Sequence, residues 1–430
     1  DPVLLTIGVA SSVHFVESWR TGLAEGLDPV AAADRARRRQ RAPLLLATGT
    51  TMVGLLSMAT SRTPAVVDFG IRAAFGIALL HALLFVLLPR WLAVQRPLAI
   101  PTAGDAAGRW FHWLITRRTA LSAGAVAVSV LAFAGLPRLA ADNDPLDLLP
   151  PREPCLVAFD ELAAHLGGVE VFHVLVPPES PATDLTRLLP FLGGLQTLPG
   201  IVGPAGPLLR GADGALAAPV LLAPGGSAER EQLFDGIERA ASVLGLDGTA
   251  PVGSAVQIAR DSQRLLAGLA GSTVLAIVLL GVGICIGLRS VRLGIVGIVP
   301  MVVACAWIYG AIAWLEHPVS VATAMIGCTM LGLIVDNALH LLHSYRHARS
   351  GLSPARAAVA SLAAVGRPVW VSSFLLIVGF SAAATSRLSS TVEFALLACS
   401  TIAVAAFGCL VLLPLLLVAA PDRPGVADAV

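Results

Sequence analysis

The chain has 430 residues, 56% of them hydrophobic and only 13% charged, with a net charge of +1 and a mean hydropathy of +0.80. Soluble domains carry about 25% charged residues, so a soluble protein is excluded and a polytopic membrane protein is expected. Its near-neutral balance, with Arg as the cation throughout, also excludes a strongly basic nucleic-acid binder.

Long apolar runs predict nine membrane spans, at 3–16, 43–59, 71–88, 119–136, 265–288, 293–315, 319–342, 368–384 and 394–420. The chain starts at Asp1 and enters the first run with no charged leader or cleavage motif, so it reads as a piece that has lost its N-terminal part. Arg35, Arg37, Arg38, Arg39 and Arg41 follow the first run, and Arg90, Arg96, Arg117 and Arg118 follow the third. Arg289 with Arg292, and then Arg346, Arg349, Arg356 and Arg367, mark two more basic loops, whereas the loops around Pro64, His317 and Ser389 are short and poor in Arg. The positive-inside rule puts the basic loops and the C-terminus in the cytoplasm.

Between the third and fourth runs, Arg109-Trp110-Phe111-His112-Trp113-Leu114 suits either a helix lying in the cytoplasmic interface or an ordinary linker. The polar segment 137–264 falls outside the membrane. Its pattern predicts helices at 155–165, 185–198 and 228–244 and strands at 169–176 and 220–222, punctuated by Pro177-Pro178, Gly203-Pro204 and Gly225-Gly226. A small α+β domain of ferredoxin-like type fits best. Of six Cys only Cys155 lies in a polar region, so no disulfide framework follows.

The expected organisation is therefore three spans in 1–96, a cytoplasmic linker with an interfacial helix in 97–118 and one span in 119–137. A periplasmic α+β domain in 138–264, five further spans in 265–420 and a cytoplasmic tail in 421–430 complete it. The first three and last three runs repeat one another: Ala59 to Arg62 matches Ala384 to Arg387, and at the same offset of 325 Pro43 matches Pro368, Gly54 matches Gly379, Phe69 matches Phe394 and Pro89 matches Pro414. With one residue of slippage, His14 and Trp19-Arg20 match His340 and Tyr345-Arg346. Both copies run in the same direction, which predicts a polytopic α-helical membrane protein with a parallel pseudo-two-fold repeat.

The chemistry concentrates in the seventh run. Asp336 is its lone carboxylate, with His340 and His343 at i+4 and i+7, and an acid at such a depth is costly enough to be a functional hypothesis by default. A proton relay needs a group whose charge can change in a low-dielectric site, and imidazole titrates near physiological pH. His14 and His340 occupy equivalent repeat positions and would face one another if the halves pack symmetrically; the competing reading is a pair of interfacial hydrogen-bonders. Asn337, Ser372, Ser373 and Thr50 are candidates to extend the relay through hydroxyls or water, although Ser and Thr in spans commonly just bond between helices. Glu17 and His343 read as interfacial, Asp68 and Arg72 as a local i,i+4 ion pair, and Gly283-x-x-x-Gly287 as a site of close helix packing.

The pattern Gly332-Leu333-Ile334-Val335-Asp336-Asn337-x-x-His340 with Tyr345-Arg346, the pattern Gly366-Arg367-Pro368 leading to Ser372-Ser373 and Gly379-Phe380, and Asp144-Pro145-Leu146-Asp147-Leu148-Leu149-Pro150 together resemble the RND transporters. Within that superfamily the chain is similar to the MMPL/Patched-like bacterial predicted exporters, several of which handle hydrophobic lipids. The resemblance implies twelve spans in two halves, each with an outside domain after its first span, so that this chain corresponds to spans four to twelve. It also implies that Asp336 is the proton-carrying acid of the tenth span and that the outside domains form the substrate path. The chain departs from the pattern at Ala10-Ser11, where the fourth span commonly has an acid, and at Asn337, where some members have a second one.

The expected function is proton-motive-force-driven export of a hydrophobic or lipid-like substrate from a multi-pass position in the bacterial inner membrane. Two rivals stand beside it: a non-transporting lipid- or sterol-binding receptor or scaffold, and an accessory component of the protein-secretion translocon, which uses the same fold. The expected partners are membrane lipids, the substrate and protons, with a second copy of the chain or a periplasmic protein also compatible. No cofactor is expected. Without Lys there is no P-loop, so a gradient or a partner must supply the energy. His340 and His343 lack a third ligand for a metal site, the Met residues are scattered, and hydrolase motifs are missing, which points away from an enzyme.

Overall fold

The computed structural model describes residues 2–60, 64–95, 106–140, 149–150, 153–178 and 185–419. Arg62, residues 144–148 of the motif that opens the outside domain, and the tail 421–430 lie outside the described residues. Seven helices in them are long and apolar enough to cross a membrane. The expected spans at 3–16 and 319–342 are both helical, as α1 (Pro2–Ala24) and most of α11 (Val321–Arg349), and between them they carry His14, Asp336, Asn337 and His340.

The repeat is explicit in the helix ends. Asp28 caps α2 (Pro29–Leu56), accepting from the N–H groups of Val30 and Ala31, with Pro29 at the first position; Ser353 holds the equivalent position before α12 (Pro354–Ser381), again followed by Pro but without a side-chain bond to the helix. Both helices run on through a 3₁₀ turn, at Ser57–Thr60 and Ala382–Thr385. The basic stretch Arg35–Arg41, expected as a loop, is the first half of α2, because the cap at Asp28 starts the helix well before the apolar run. The third helix of each repeat is α3 (Pro64–Ala93) or α13 (Ser389–Phe407), the latter continued through a π turn at Gly408–Leu412 into α14 (Leu413–Ala419). The first helix of each repeat packs against the second helix of the other, α1 on α12 and α11 on α2, which is the reciprocal contact a pseudo-two-fold axis requires.

Helix α4 (Ala106–Thr116) docks Phe111 and Leu114 onto the bundle, and the indole of Trp110 donates to the Leu410 carbonyl at 3.2 Å within the π turn. The aromatic segment is thus a packed helix, not an extended linker. Helix α5 (Arg118–Gly135) presents exposed Val126, Val130, Leu131 and Phe133, as a lipid-facing helix must. It is held to α10 (Val291–Trp314) by two indoles: Trp307 donates to Ser129 Oγ at 3.0 Å and Trp314 to the Leu131 carbonyl at 2.8 Å.

The outside domain comprises α6 (Pro154–Leu166), β1 (Glu170–Val176), α7 (Leu185–Leu195), β2 (Ile201–Pro204), β3 (Leu209–Arg210), β4 (Leu216–Leu222), α8 (Ser227–Val243) and β5 (Ala250–Val252). Its antiparallel sheet has the order β2-β4-β1-β5, with β3 also beside β4. Two split βαβ units in that order make the ferredoxin-like arrangement. Strands β2, β3 and β5 are too short to leave a period in the sequence. Phe172, Val174 and Val176 alternate into the core, where Phe172 meets Phe234 of α8 edge-on at 5.2 Å. Helix α9 (Ser254–Leu288) then links the two parts without a break: Ala255, Val256 and Ala259 belong to the domain core, Ala276, Leu280 and Ile284 to the bundle core. The boundary expected at 264–265 falls inside this helix.

A Cβ at Gly310 of α10 would lie 2.6 Å from the Ala132 Cα of α5, which no side-chain rotation can relieve. Gly310→Val is expected to cost about 1–3 kcal/mol by overpacking, read as a lower thermal midpoint in detergent.

Candidate functional site

Helix α11 is set in place at its N-terminus by a capping box in which Ser320 and Thr323 each bond the other's backbone N–H. Both hydroxyls also donate to the carboxylate of Glu393 on α13. From there the helix enters the centre of the bundle, with Met330, Leu331, Val335, Ala338 and Leu342 wholly buried. A helix packed on all sides shows no apolar stripe, and this one has none. Gly332 lets the Thr51 backbone of α2 approach to 3.2 Å from where a Cβ would sit, and Thr51 Oγ1 donates to the Gly332 carbonyl at 2.8 Å. Asp336 stands one turn further on.

Around Asp336 the two repeats meet at a small cavity of about 10 Å³, room for roughly one water molecule. Ala10, Ser11 and His14 of α1 line it, with Asp336, Asn337 and His340 of α11 and Ser372 of α12. Asp336 is half-buried on its wall; Oδ1 is fully enclosed and has no hydrogen-bond partner among the described residues. His14 and His340 are buried and stack face to face, ring centroids 4.1 Å apart and planes within 4° of parallel. Since these two residues are equivalent in the repeat, the stack lies across the pseudo-two-fold axis. Nε2 of His14 is enclosed without a hydrogen-bond partner among the described residues.

Asn337 is held from α12 on both sides. Ser372 Oγ donates to Asn337 Oδ1 at 3.3 Å, and Asn337 Nδ2 donates to Ser373 Oγ at 3.4 Å. Thr50 is not brought to this cluster: its hydroxyl bonds the Leu46 and Ala47 carbonyls of its own helix, and its methyl packs on Gly283 of α9. Gly283 and Gly287 do serve as the close-packing site read from their spacing, against Thr50 and Leu46 of α2. At the basic end Glu17 of α1 binds Arg367 of α12 at 3.1 Å, a tie between the repeats. The Asp68–Arg72 pair forms at 2.8 Å on the exposed outer end of α3.

Sequence reasoning missed His81. It is buried in α3, with Nε2 2.9 Å from Ser11 Oγ. The signal was present, since a His in the middle of an apolar span is as costly as the residues that were singled out. In the outside domain a cavity of about 300 Å³ lies between α7 and the β2–β4 edge, lined by Leu189, Leu192, Leu195, Ile201 and Val220 with Gln196. Among the described residues no cluster of His, Cys, Asp and Glu could hold a metal ion.

No protein-family profile matches the chain. A protein of Methanocaldococcus jannaschii described as a membrane protein is 34% identical over 89 residues, 20% of this chain and 23% of that protein. Among solved structures, SecDF in its super-membrane-facing form has a similar fold, with a TM-score of 0.56 and 14% identity over 97% of this chain and 53% of that one. The chain therefore spans about half the length of the SecDF chain and less than a quarter of the archaeal protein. At that identity the likeness to SecDF is one of fold, and with seven helices among the described residues long and apolar enough to cross a membrane the molecule is a multi-pass membrane protein.

Thr51→Val removes one enclosed bond between α2 and α11 while keeping the side-chain shape. It is expected to lower stability by about 0.5–1 kcal/mol, measured as a shift of the unfolding midpoint in detergent.

Proposed function

We propose that this chain acts in the proton-driven export of a hydrophobic or lipid-like substrate across or out of a bacterial inner membrane. The observation that carries the reading is the enclosed Asp336 Oδ1, without a partner, on the wall of a cavity between the two repeats. No described side chain forms an ion pair with it, so a proton is the neutralising partner the site offers. Asp336 binds and releases that proton at its carboxylate oxygens. Asn337, pinned by Ser372 and Ser373, holds the polar wall beside it and keeps α11 in register with α12.

Coupling follows from where the acid lies. Protonating or emptying Asp336 changes the charge in a contact between α1–α2 and α11–α12, so the cost of burying that contact changes with it. A sliding of one repeat past the other relieves the difference and would break or re-form the His14–His340 stack. The apolar cavity in the outside domain, of about 300 Å³, suits a hydrophobic molecule and supports that substrate class.

A second reading, an accessory component of the protein-secretion translocon, is favoured by the fold likeness to SecDF over 97% of the chain. Co-purification with a protein-conducting channel would select it over lipid export. Both readings use the same acid.

In proteoliposomes under a pH gradient, Asp336→Asn is expected to reduce proton flux and movement of a fluorescent phospholipid probe to the background of empty vesicles. Membrane insertion and the thermal midpoint should stay as in the wild type, since the variant keeps the side-chain shape. Wild-type flux in this variant would defeat the proton-carrier assignment.

A further inference from the structure

A third buried imidazole has no place in that relay. His81 sits in the apolar run Leu79-Leu80-His81-Ala82-Leu83 of α3, only 3% exposed. Nε2 lies 2.9 Å from Ser11 Oγ, and Nδ1 is enclosed with no hydrogen-bond partner among the described residues. A Leu would fill the same volume without stranding a polar nitrogen, so packing alone does not account for the ring. Ser11 is also a wall of the cavity that Asp336 lines. The hydroxyl therefore stands between the cavity and the imidazole.

The repeat sharpens the point. At the offset that pairs His14 with His340, Ala10 and Ser11 of α1 correspond to Asp336 and Asn337 of α11. Where the second half places its acid, the first half has a methyl group. His81 in turn corresponds to Ala406 of α13, so each half contributes one titratable group that the other lacks, from a different helix.

We propose that His81 is the second proton-bearing group of this site, connected to Asp336 through the cavity and the Ser11 hydroxyl. This rests on the reading of Asp336 as the proton carrier. In the step, Ser11 gives its hydroxyl proton to Nε2 of His81 and accepts one on Oγ from the cavity side, where Asp336 releases it. One N–H forms, one carboxyl O–H breaks, and the hydroxyl ends as it began. The product is a carboxylate and an imidazolium across one small cavity, whose attraction offsets part of the cost of charging each. Among the described residues, charged or titratable groups on the helices beside α3 include His14 of α1, three residues beyond Ser11, and Arg37 of α2, over the Phe85 ring one turn along from His81.

The test uses the protein in phosphatidylethanolamine–phosphatidylglycerol vesicles with an entrapped pH dye, alongside ¹⁵N spectra of histidine-labelled protein in the same vesicles. His81→Gln, which identifies the His81 signals by their loss, is expected to lower proton flux at least about tenfold and to flatten one limb of its pH profile. Ser11→Ala should do the same, and Ser11→Thr, which keeps the hydroxyl, should restore flux. Thermal midpoints of all three should match the wild type. In the spectra the His81 ring should change protonation between about pH 5 and pH 9, with a midpoint that moves by roughly half a unit or more in Asp336→Asn. Wild-type flux and profile in His81→Gln, or a His81 signal indifferent to Asp336→Asn, would overturn the proposal. If Asp336→Asn itself keeps full flux, the exporter reading falls, and the response of the His81 signal still decides whether the two groups are coupled.

Discussion

A hydrocarbon surrounding tolerates polar side chains only where protein encloses them, and this constraint decides where chemistry can reside in a chain so apolar. The lipid-facing helices spend their surface on Val, Leu and Phe, as α5 does, and have nothing to react with. The polar residues collect on the two helices that the bundle surrounds, α1 and α11, and on the faces of α2, α3 and α12 turned towards them. The site and the centre of the fold are therefore the same place.

The repeat determines what meets there. Because α1 packs on α12 and α11 on α2, equivalent residues approach one another across the pseudo-axis, and His14 and His340 do so ring to ring. Small residues set how close the helices come. Gly332 admits the Thr51 backbone, so that the Thr51 hydroxyl spans the gap between helices, and Gly283 and Gly287 admit the Thr50 methyl and Leu46. The Glu17–Arg367 tie closes the same interface at its basic end, where water screens the pair and makes it worth little as a brace. Such a tie can part without much cost when the repeats shift.

Much of this was legible in the sequence because membrane helices and repeats leave long-range marks. The offset of 325 between matched residues gave the parallel repeat and with it the fold class, and the structure carries the same offset into the N-cap positions Asp28 and Ser353 and both 3₁₀ turns. The alternating pattern of β1 and the helical runs of α6 to α8 gave the outside domain its type. What failed was local. Strands of two to four residues have no period to detect, the Asp28 cap moved a whole basic stretch from loop to helix, and α9 carries one helix across a change of composition. Thr50 and Thr51 illustrate the limit at the site: adjacent in sequence, they point to opposite neighbours, and only the packing says which one reaches α11.

At Ala10-Ser11 the first half has no counterpart to the Asp336 acid of the second half, which first reads as a loss. The geometry gives it another meaning. Two carboxylates facing each other across a cavity this small would repel, and one would have to stay protonated throughout a cycle. Replacing one by a methyl group and a hydroxyl removes that repulsion and leaves room for a base of the opposite charge type to be reached from behind, on α3. A symmetric scaffold then holds an asymmetric pair, an acid on α11 and an imidazole on α3, with the stacked His14 and His340 marking the axis between them. That arrangement gives a proton a direction within the bundle, which two equal acids related by the same axis would not provide.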